Sequence, residues 1–184
     1  MNTSILQNIF QITGSMFLIG SSLISLNVGN NIILFNKSPR LIDTTTSLSQ
    51  TKVHGAQYYF VMTVPLETGV SLQKVVLQQI KGVDQIYFNL DQTVAFIGKP
   101  ISPGDKLPIS KVQRNLDNNK ISITFKSSIL PGETFFIVVK PKNNPVVGGN
   151  YQFGITVYPE GKHPQGLYIG AGALNFRQHG NSFP

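Results

Sequence analysis

The residues that could carry chemistry are few and far apart in this sequence. Its three histidines, His54, His163 and His179, have no neighbour at the spacing of a metal site such as H-x-x-x-H. There is no cysteine, so thiol nucleophiles, zinc thiolates and disulfides are excluded together. The S-x-x-K pattern from Ser71 to Lys74 lacks the S-D-N and K-T-G elements that accompany it in enzymes with a serine nucleophile. The sequence therefore predicts no catalytic, metal-binding or cofactor-binding residue and no cofactor.

Carboxylates are the remaining candidates for an enzyme. Glu67, Glu133 and Glu160 lie at or beside predicted turns, and the aspartates are isolated from one another in the sequence. Any two could form a glycosidase pair if the fold brought them within about 5–10 Å of each other across a cleft. Carboxylates near turns commonly bond to the turn backbone instead. We therefore predict a protein that is not an enzyme and keep a secreted carboxylate-dependent hydrolase as the alternative.

The charge balance is basic but diffuse. The chain carries 15 Lys and Arg against 8 Asp and Glu, a net charge of +7, although charged residues are only 12% of the composition. The cationic residues are spread along the chain, and no run of five or more occurs. No nucleic-acid-binding motif accompanies the charge, so we predict no nucleic acid among the partners. This pattern indicates a solvated, mildly basic surface, with a dedicated polyanion site as the alternative.

The N-terminal segment differs from the rest of the sequence. The apolar stretch SMFLIGSSLISL, residues 15–26, is shorter than the roughly 20 residues that a spanning helix needs. It resembles the apolar core of a secretory signal, although no Lys or Arg precedes it. We therefore predict a signal or leader over residues 1–29 and a secreted protein of the periplasm, outer envelope or extracellular space. Contact with a membrane would occur only through an uncleaved leader.

From residue 30 onward, short apolar runs alternate with turn residues. KISITF, residues 120–125, places Ile121, Ile123 and Phe125 on one face, as in a half-buried strand. Evenly spaced runs of this kind predict an all-β fold, an antiparallel immunoglobulin-like β-sandwich of about 8–9 short strands with little helix. We expect one such domain over residues 30–184, with a frayed C-terminal tail. The pattern also predicts a corner at residues 89–92 and a loop at 101–108, and it leaves residues 71–80 ambiguous between helix and strand.

Several of these stretches also carry a resemblance to a known family. They include PRL (39–41), GAQYYFVMTVP (55–65), LPGETFFIVVKPKNNP (130–145) and YQFGITVYPEGKHPQGLYIGAGALNF (151–176). With LQKVVLQQIKGVDQIYFNLDQTVAFIG (72–98), they resemble the exported cyanobacterial proteins of the domain-of-unknown-function family DUF2808. The resemblance implies a secreted or envelope location and a β-rich fold, and it brings no catalytic residue. Because the family often has Trp at the position of His54, it also implies that His54 is a packing side chain.

These observations predict a non-catalytic protein of the cell surface with a structural, assembly or binding role. Its expected partner is an envelope or extracellular protein or a polysaccharide. Tyr151, Tyr158 and Tyr168 are candidates for stacking on sugar rings, because aromatic faces pack well against apolar surfaces. The alternative for these three tyrosines is a partly buried position in a sheet.

A second candidate surface lies in NNIILFN, residues 30–36. The four apolar residues Ile32, Ile33, Leu34 and Phe35 do not alternate with polar residues, so we expect both faces of this strand to be covered. The strand is expected to pair with a sheet edge, because an exposed apolar strand invites aggregation. Pairing within the same chain is one possibility. Pairing with the next subunit by β-strand addition, which would make a homo-oligomer or fibre, is the other.

Overall fold

The fold is an antiparallel β-sandwich of ten strands. The computed structural model describes residues 32–115 and 118–178 of the 184-residue chain. The strands are β1 Arg40–Thr46, β2 Tyr58–Thr63, β3 Leu72–Lys81, β4 Phe88–Lys99, β5 Ser102–Lys106, β6 Ile109–Asn115, β7 Lys120–Ile129, β8 Thr134–Pro141, β9 Gly149–Pro159 and β10 Leu167–Phe176. The first sheet has the order β1-β2-β8-β4-β5 and the second has the order β10-β9-β3-β7-β6. The predicted all-β sandwich is confirmed, whereas the predicted leader lies outside the described residues.

The core between the two sheets is built from side chains that alternate along each strand. In β9, Tyr151, Phe153, Ile155 and Val157 point inward and are buried, and the residues between them face outward. Aromatic rings dominate the centre, where Phe153 lies with its ring centroid 5.7 Å from that of Phe60 and 5.9 Å from that of Phe88. Period-two alternation in the sequence therefore accounts for the core.

The first sheet carries a second apolar cluster on its outer face. Val61, Phe136 and Val138 are buried there, and Tyr59 and Phe96 pack beside them. The rings of Phe96 and Phe136 stack with centroids 5.4 Å apart. Strand β8 therefore has buried side chains on both faces, which matches its unbroken run of apolar residues.

Two predicted boundaries are wrong. The expected corner at residues 89–92 lies inside β4, where the pairing with β8 shifts register between Asn89 and Val94. An irregularity of this kind adds residues to one strand without ending it. The expected loop at 101–108 contains β5, which pairs with the end of β4, so the count exceeds the predicted eight or nine strands. The ambiguous segment at 71–80 lies in strand β3.

The N-terminal segment 32–36 pairs within the chain, but with a loop and not with a strand edge. The amide of Ile33 donates to the carbonyl of His163 at 3.1 Å, and the amide of Gln165 donates back to the carbonyl of Ile33 at 3.1 Å. The side chains alternate, since Ile33 and Phe35 are half-buried while Ile32 and Leu34 are 61% and 54% exposed. The expectation that both faces are covered is therefore wrong, because one short bridge covers only one side.

An alkaline stability test follows from the buried hydroxyl of Tyr58. This hydroxyl donates to Oδ1 of Asn144 at 2.9 Å. Burial raises the pKa of Tyr58 well above its usual 10.0, and the neighbouring Tyr151 raises it further. Above pH 10 the unfolded chain loses this proton while the native protein keeps it, so the free energy of unfolding falls as pH rises. The stability from this group is complete below pH 10 and is lost above it, by about 1.4 kcal/mol per pH unit.

Tyr58→Phe removes the titrating group and should flatten this alkaline decline. Urea unfolding of the wild-type and variant proteins at intervals between pH 8 and pH 11 measures the two slopes. Lysines titrate in both proteins, so the difference in slope reports Tyr58 alone. Equal slopes above pH 10 would contradict the assignment.

Candidate functional site

Two of the carboxylates, Asp84 and Glu133, accept hydrogen bonds from the backbone of loops and turns. Asp84 accepts hydrogen bonds from the amides of Val146 and Val147 at 2.6 and 2.8 Å, which holds the loop after β8. Glu133 accepts one from the amide of Leu130 at 2.8 Å, as predicted for a carboxylate beside a turn. Four shallow clefts of about 230 to 400 Å³ in the described part of the chain are each lined by a single carboxylate. No carboxylate pair of the kind that a glycosidase needs lines any of these four clefts.

The histidines do not come together. His54 is exposed, so the expectation that it packs as a flat side chain is wrong. The reason is that the apolar contacts of this region begin only at Ala56, after a bend at residues 54–55. His163 is also exposed, and His179 lies outside the described residues. Among residues 32–115 and 118–178, no group of three or more His, Cys, Asp or Glu side chains is arranged to hold a metal ion.

Within those same ranges, no helix has the length and apolar character needed to cross a membrane.

Tyr151 is not available to a ligand. Its side chain is 0% exposed, and its ring packs edge-on against Phe176 with centroids 5.5 Å apart. Its hydroxyl donates to the carbonyl of Val147 at 2.9 Å. The prediction that Tyr151 stacks on a sugar is therefore wrong, because Tyr151 points into the core from the same face of β9 as Phe153.

Tyr158 and Tyr168 both lie on the outer face of the second sheet. Tyr168 pairs with Thr156 across β10 and β9, so Tyr158, two residues further along β9, is its diagonal neighbour. Tyr168 is 57% exposed, and its ring packs over Gly154, where an added Cβ would lie 3.1 Å from its Cε2 atom. The absent side chain of Gly154 thus lets the ring lie against the sheet.

Tyr158 is more enclosed than Tyr168. The ammonium of Lys74 lies 3.8 Å from the centroid of its ring, and an added Cβ on Gly166 would lie 2.6 Å from its Cζ atom. Its ring is therefore flanked by neighbours from β3 and from the segment before β10. Of the two rings, that of Tyr168 is the more exposed to solvent.

The strand register orders the remaining side chains of this face into rows. One row runs across β6, β7, β3 and β9 as Lys111, Thr124, Lys74 and Tyr158. The next row runs as Gln113, Ser122, Val76, Thr156 and Tyr168. Adjacent strands lie about 4.8 Å apart, so a row over four strands spans about 14 Å. The result is a sheet face of mainly hydroxyl, amide and ammonium groups, with Val76 among them and tyrosines at one side.

Sequence reasoning found the two tyrosines but missed the surface that contains them. The tyrosines lie on neighbouring strands close in the sequence, whereas Lys74, Lys111 and Thr124 join them only through pairing between distant segments. The sequence does indicate, by the alternation along β3, β6 and β7, that these side chains point outward. This indication becomes useful only when the strand order is known.

Several solved structures have a similar fold. The major pilin GBS80 of Streptococcus agalactiae, as a C-terminal fragment, has a TM-score of 0.50 and 12% identity over 76% of this chain and 56% of its own. The collagen-binding subdomain of the Enterococcus faecalis surface protein ACE has a TM-score of 0.44 and 8% identity, covering 76% and 98% of the two chains. BslA, a bacterial hydrophobin, has a TM-score of 0.43 and 14% identity, covering 81% and 99%.

At these identities the likeness shows the fold alone. The chain spans about half the length of the first solved structures that it matches. No curated protein matches the sequence significantly. A family model described as a protein of unknown function, DUF2808, matches residues 32–176, which include every strand of both sheets. The chain therefore belongs to the DUF2808 family.

Proposed function

We propose that the protein is a non-catalytic protein of the cell envelope or extracellular space that binds a polysaccharide through the outer face of its second sheet. The observation that carries the proposal is the exposed ring of Tyr168, on a sheet face that also carries Tyr158 and several hydroxyl and amide groups. Aromatic faces pack against the C–H groups of sugar rings, and Thr, Ser and Gln side chains offer donors and acceptors to sugar hydroxyls. Fixed strands hold these groups in place before binding, which limits the entropy lost on association.

The proposed cellular location is supported by the sequence alone. The apolar stretch at residues 15–26 supports export, with cleavage within the proposed leader of residues 1–29. Mass spectrometry of the N-terminus of the protein released by cells tests this part, and an intact Met1 in the soluble exported protein would contradict it.

The binding face is tested by replacing its open ring. Tyr168→Ala should weaken binding to a polysaccharide by about five- to tenfold, because an aromatic contact contributes about 1 kcal/mol. Affinity electrophoresis in gels that contain one polysaccharide each measures the effect over a panel of polymers.

Leu66→Ala is the control, because Leu66 is also a large exposed apolar side chain and lies outside both sheets. It should leave the affinity unchanged. Equal losses in the two variants, or an unchanged affinity in Tyr168→Ala, would exclude Tyr168 as the stacking residue. Thermal unfolding of both variants separates a lost contact from a lost fold.

Assembly through the N-terminal segment is a second candidate role. It is favoured by the exposed apolar side chains of Ile32 and Leu34, which a neighbouring subunit could cover. Its binding mode would be β-strand addition, since the described part of the chain gives this segment one isolated bridge at Ile33 and one further backbone hydrogen bond, from Asn36 to Thr68. Sedimentation over a range of concentrations tests it, and a protein that stays monomeric at high concentration would exclude it.

A further inference from the structure

The two sheets differ sharply in charge. The strands of the second sheet contain no Asp or Glu. They contain six cationic residues: Lys74, Lys81, Lys111, Arg114, Lys120 and Lys126. The strands of the first sheet contain four cationic and three acidic residues. The net charge of +7 is therefore concentrated in one sheet, although the same residues are spread along the sequence.

The outer face of the second sheet collects most of this charge. Lys111 pairs with Thr124, which pairs in turn with Lys74, so the two lysines lie in one row with one strand between them. Lys120 lies on the same face opposite Gln78, and Lys126 follows Thr124 two residues along β7. Arg114 lies on the other face of β6, and its guanidinium stacks 4.3 Å from the ring centroid of Tyr87. Four lysines thus share the face that carries Tyr158 and Tyr168.

These lysines are not neutralised by carboxylates in the described part of the chain. The ion pair found there, Lys37 with Glu67 at 3.1 Å, lies outside both sheets. Asp117, between β6 and β7 in the sequence, is outside the described residues. A sheet face with several cations and no acidic side chain in its strands creates a positive potential that attracts anions.

We propose that the natural ligand of this face is an acidic polysaccharide, a linear sugar polymer that carries carboxylate or sulfate groups. This inference rests on the proposed function and names the chemical class of its ligand. The lysines in the row from Lys111 to Lys74 pair with the acidic groups of the polymer, and a sugar ring packs on Tyr168. The polymer lies across the strands, because both the lysine row and the tyrosines extend in that direction.

Charge and side-chain chemistry favour an acidic polysaccharide over nucleic acid or a membrane. Bidentate recognition of phosphate is typical of Arg, and the one Arg of this sheet is turned toward Tyr87. Docking on an anionic membrane combines cations with inserted apolar side chains. The outward positions of the rows described above are instead mainly Thr, Ser, Gln and Lys.

Matched pairs of polymers test the inference with the full chain. The probes are polygalacturonate with its fully methyl-esterified form, and dextran sulfate with dextran. We expect binding to the charged member of a pair at least tenfold tighter than to its neutral partner, with affinity falling as salt is raised. A single-stranded oligothymidylate serves as a polyanion without sugar hydroxyl-rich rings, and it should bind at least tenfold more weakly than the charged polysaccharides.

Charge-matched variants locate the site. Lys111→Gln with Lys126→Gln removes two exposed charges from the outer face of the second sheet, and Lys99→Gln with Lys106→Gln removes two exposed charges from the first. The first pair should weaken binding to the charged polymer by about tenfold at low salt, and the second by less than twofold. Because both variants lose the same net charge, a general electrostatic effect would act equally on the two.

Each remaining outcome has one meaning. Equal binding to charged and neutral polymers, lost in Tyr168→Ala, would overturn the acidic ligand and keep the proposed function. Binding to neither class would overturn both. Oligothymidylate bound as tightly as the charged polysaccharides would show a general polyanion surface and overturn the specific inference. Equal losses in the two lysine variants would overturn its location.

Discussion

Phe153→Ala is expected to lower the free energy of unfolding by about 3–5 kcal/mol, the range for a buried Phe replaced by Ala. Phe153 is buried at the centre of the sandwich, with ring contacts to Tyr58, Phe60 and Phe88 at centroid distances of 6.2, 5.7 and 5.9 Å. Removing its ring leaves a cavity between two sheets that are held by their own hydrogen bonds and close only in part. Urea denaturation measures the loss.

Ile101→Ala is the control for this experiment. Ile101 lies in the turn after β4 and is 93% exposed, so its truncation should change stability by less than about 0.5 kcal/mol. A loss below 1 kcal/mol for Phe153→Ala would contradict the central position of its ring.

Asn144→Ala is expected to lower the free energy of unfolding by about 3 kcal/mol. The buried side-chain amide of Asn144 makes three hydrogen bonds. Its Oδ1 accepts one from the hydroxyl of Tyr58 at 2.9 Å, and its Nδ2 donates to the carbonyls of Leu48 and Gln50 at 2.9 and 2.8 Å. Its removal leaves a buried hydroxyl and two carbonyls without this partner, and each unsatisfied buried group costs about 1–3 kcal/mol unless water reaches it. The side chain thus ties the loop after β8 to the segment before β2.

The neighbouring Asn143 supplies the control, because it is exposed and Asn143→Ala should change stability by less than about 0.5 kcal/mol. A double-mutant cycle with Tyr58→Phe separates the contribution of the shared hydrogen bond. The cost of Tyr58→Phe should be smaller in the Asn144→Ala background by about 0.5–1 kcal/mol. Strict additivity would mean that the two side chains do not interact.

The strands of the core could be predicted because their alternation is local. KISITF places Ile121, Ile123 and Phe125 inward both in the sequence pattern and in β7. The same parity would have placed Tyr151 inward, beside Phe153. The three errors at residues 32–35, 89–92 and 101–108 have another cause. Local residue types there suggest a covered strand, a corner and a loop, but backbone pairing determines the structure, with distant segments at 32–35 and 89–92 and with the adjacent end of β4 at 101–108.

The candidate binding face could be predicted only in part. Tyr158 and Tyr168 were candidates because aromatic residues are recognisable one at a time. The concentration of positive charge was missed, because Lys74 and Lys111 come close only when β7 pairs with both β3 and β6. A sheet of order β10-β9-β3-β7-β6 gathers residues from the whole length of the domain, so composition along the chain does not report it.

Nuclear magnetic resonance can map the proposed binding site on the protein directly. The ¹⁵N-labelled protein would be titrated with an oligogalacturonate long enough to cross several strands. We predict the largest amide shift changes in β3, β7, β9 and β10, around Lys74, Thr124 and Tyr168, with little change in the first sheet. Shift changes centred on β1, β2 or β8, or no change at concentrations where the polymer binds, would contradict the claim that the outer face of the second sheet is the functional site.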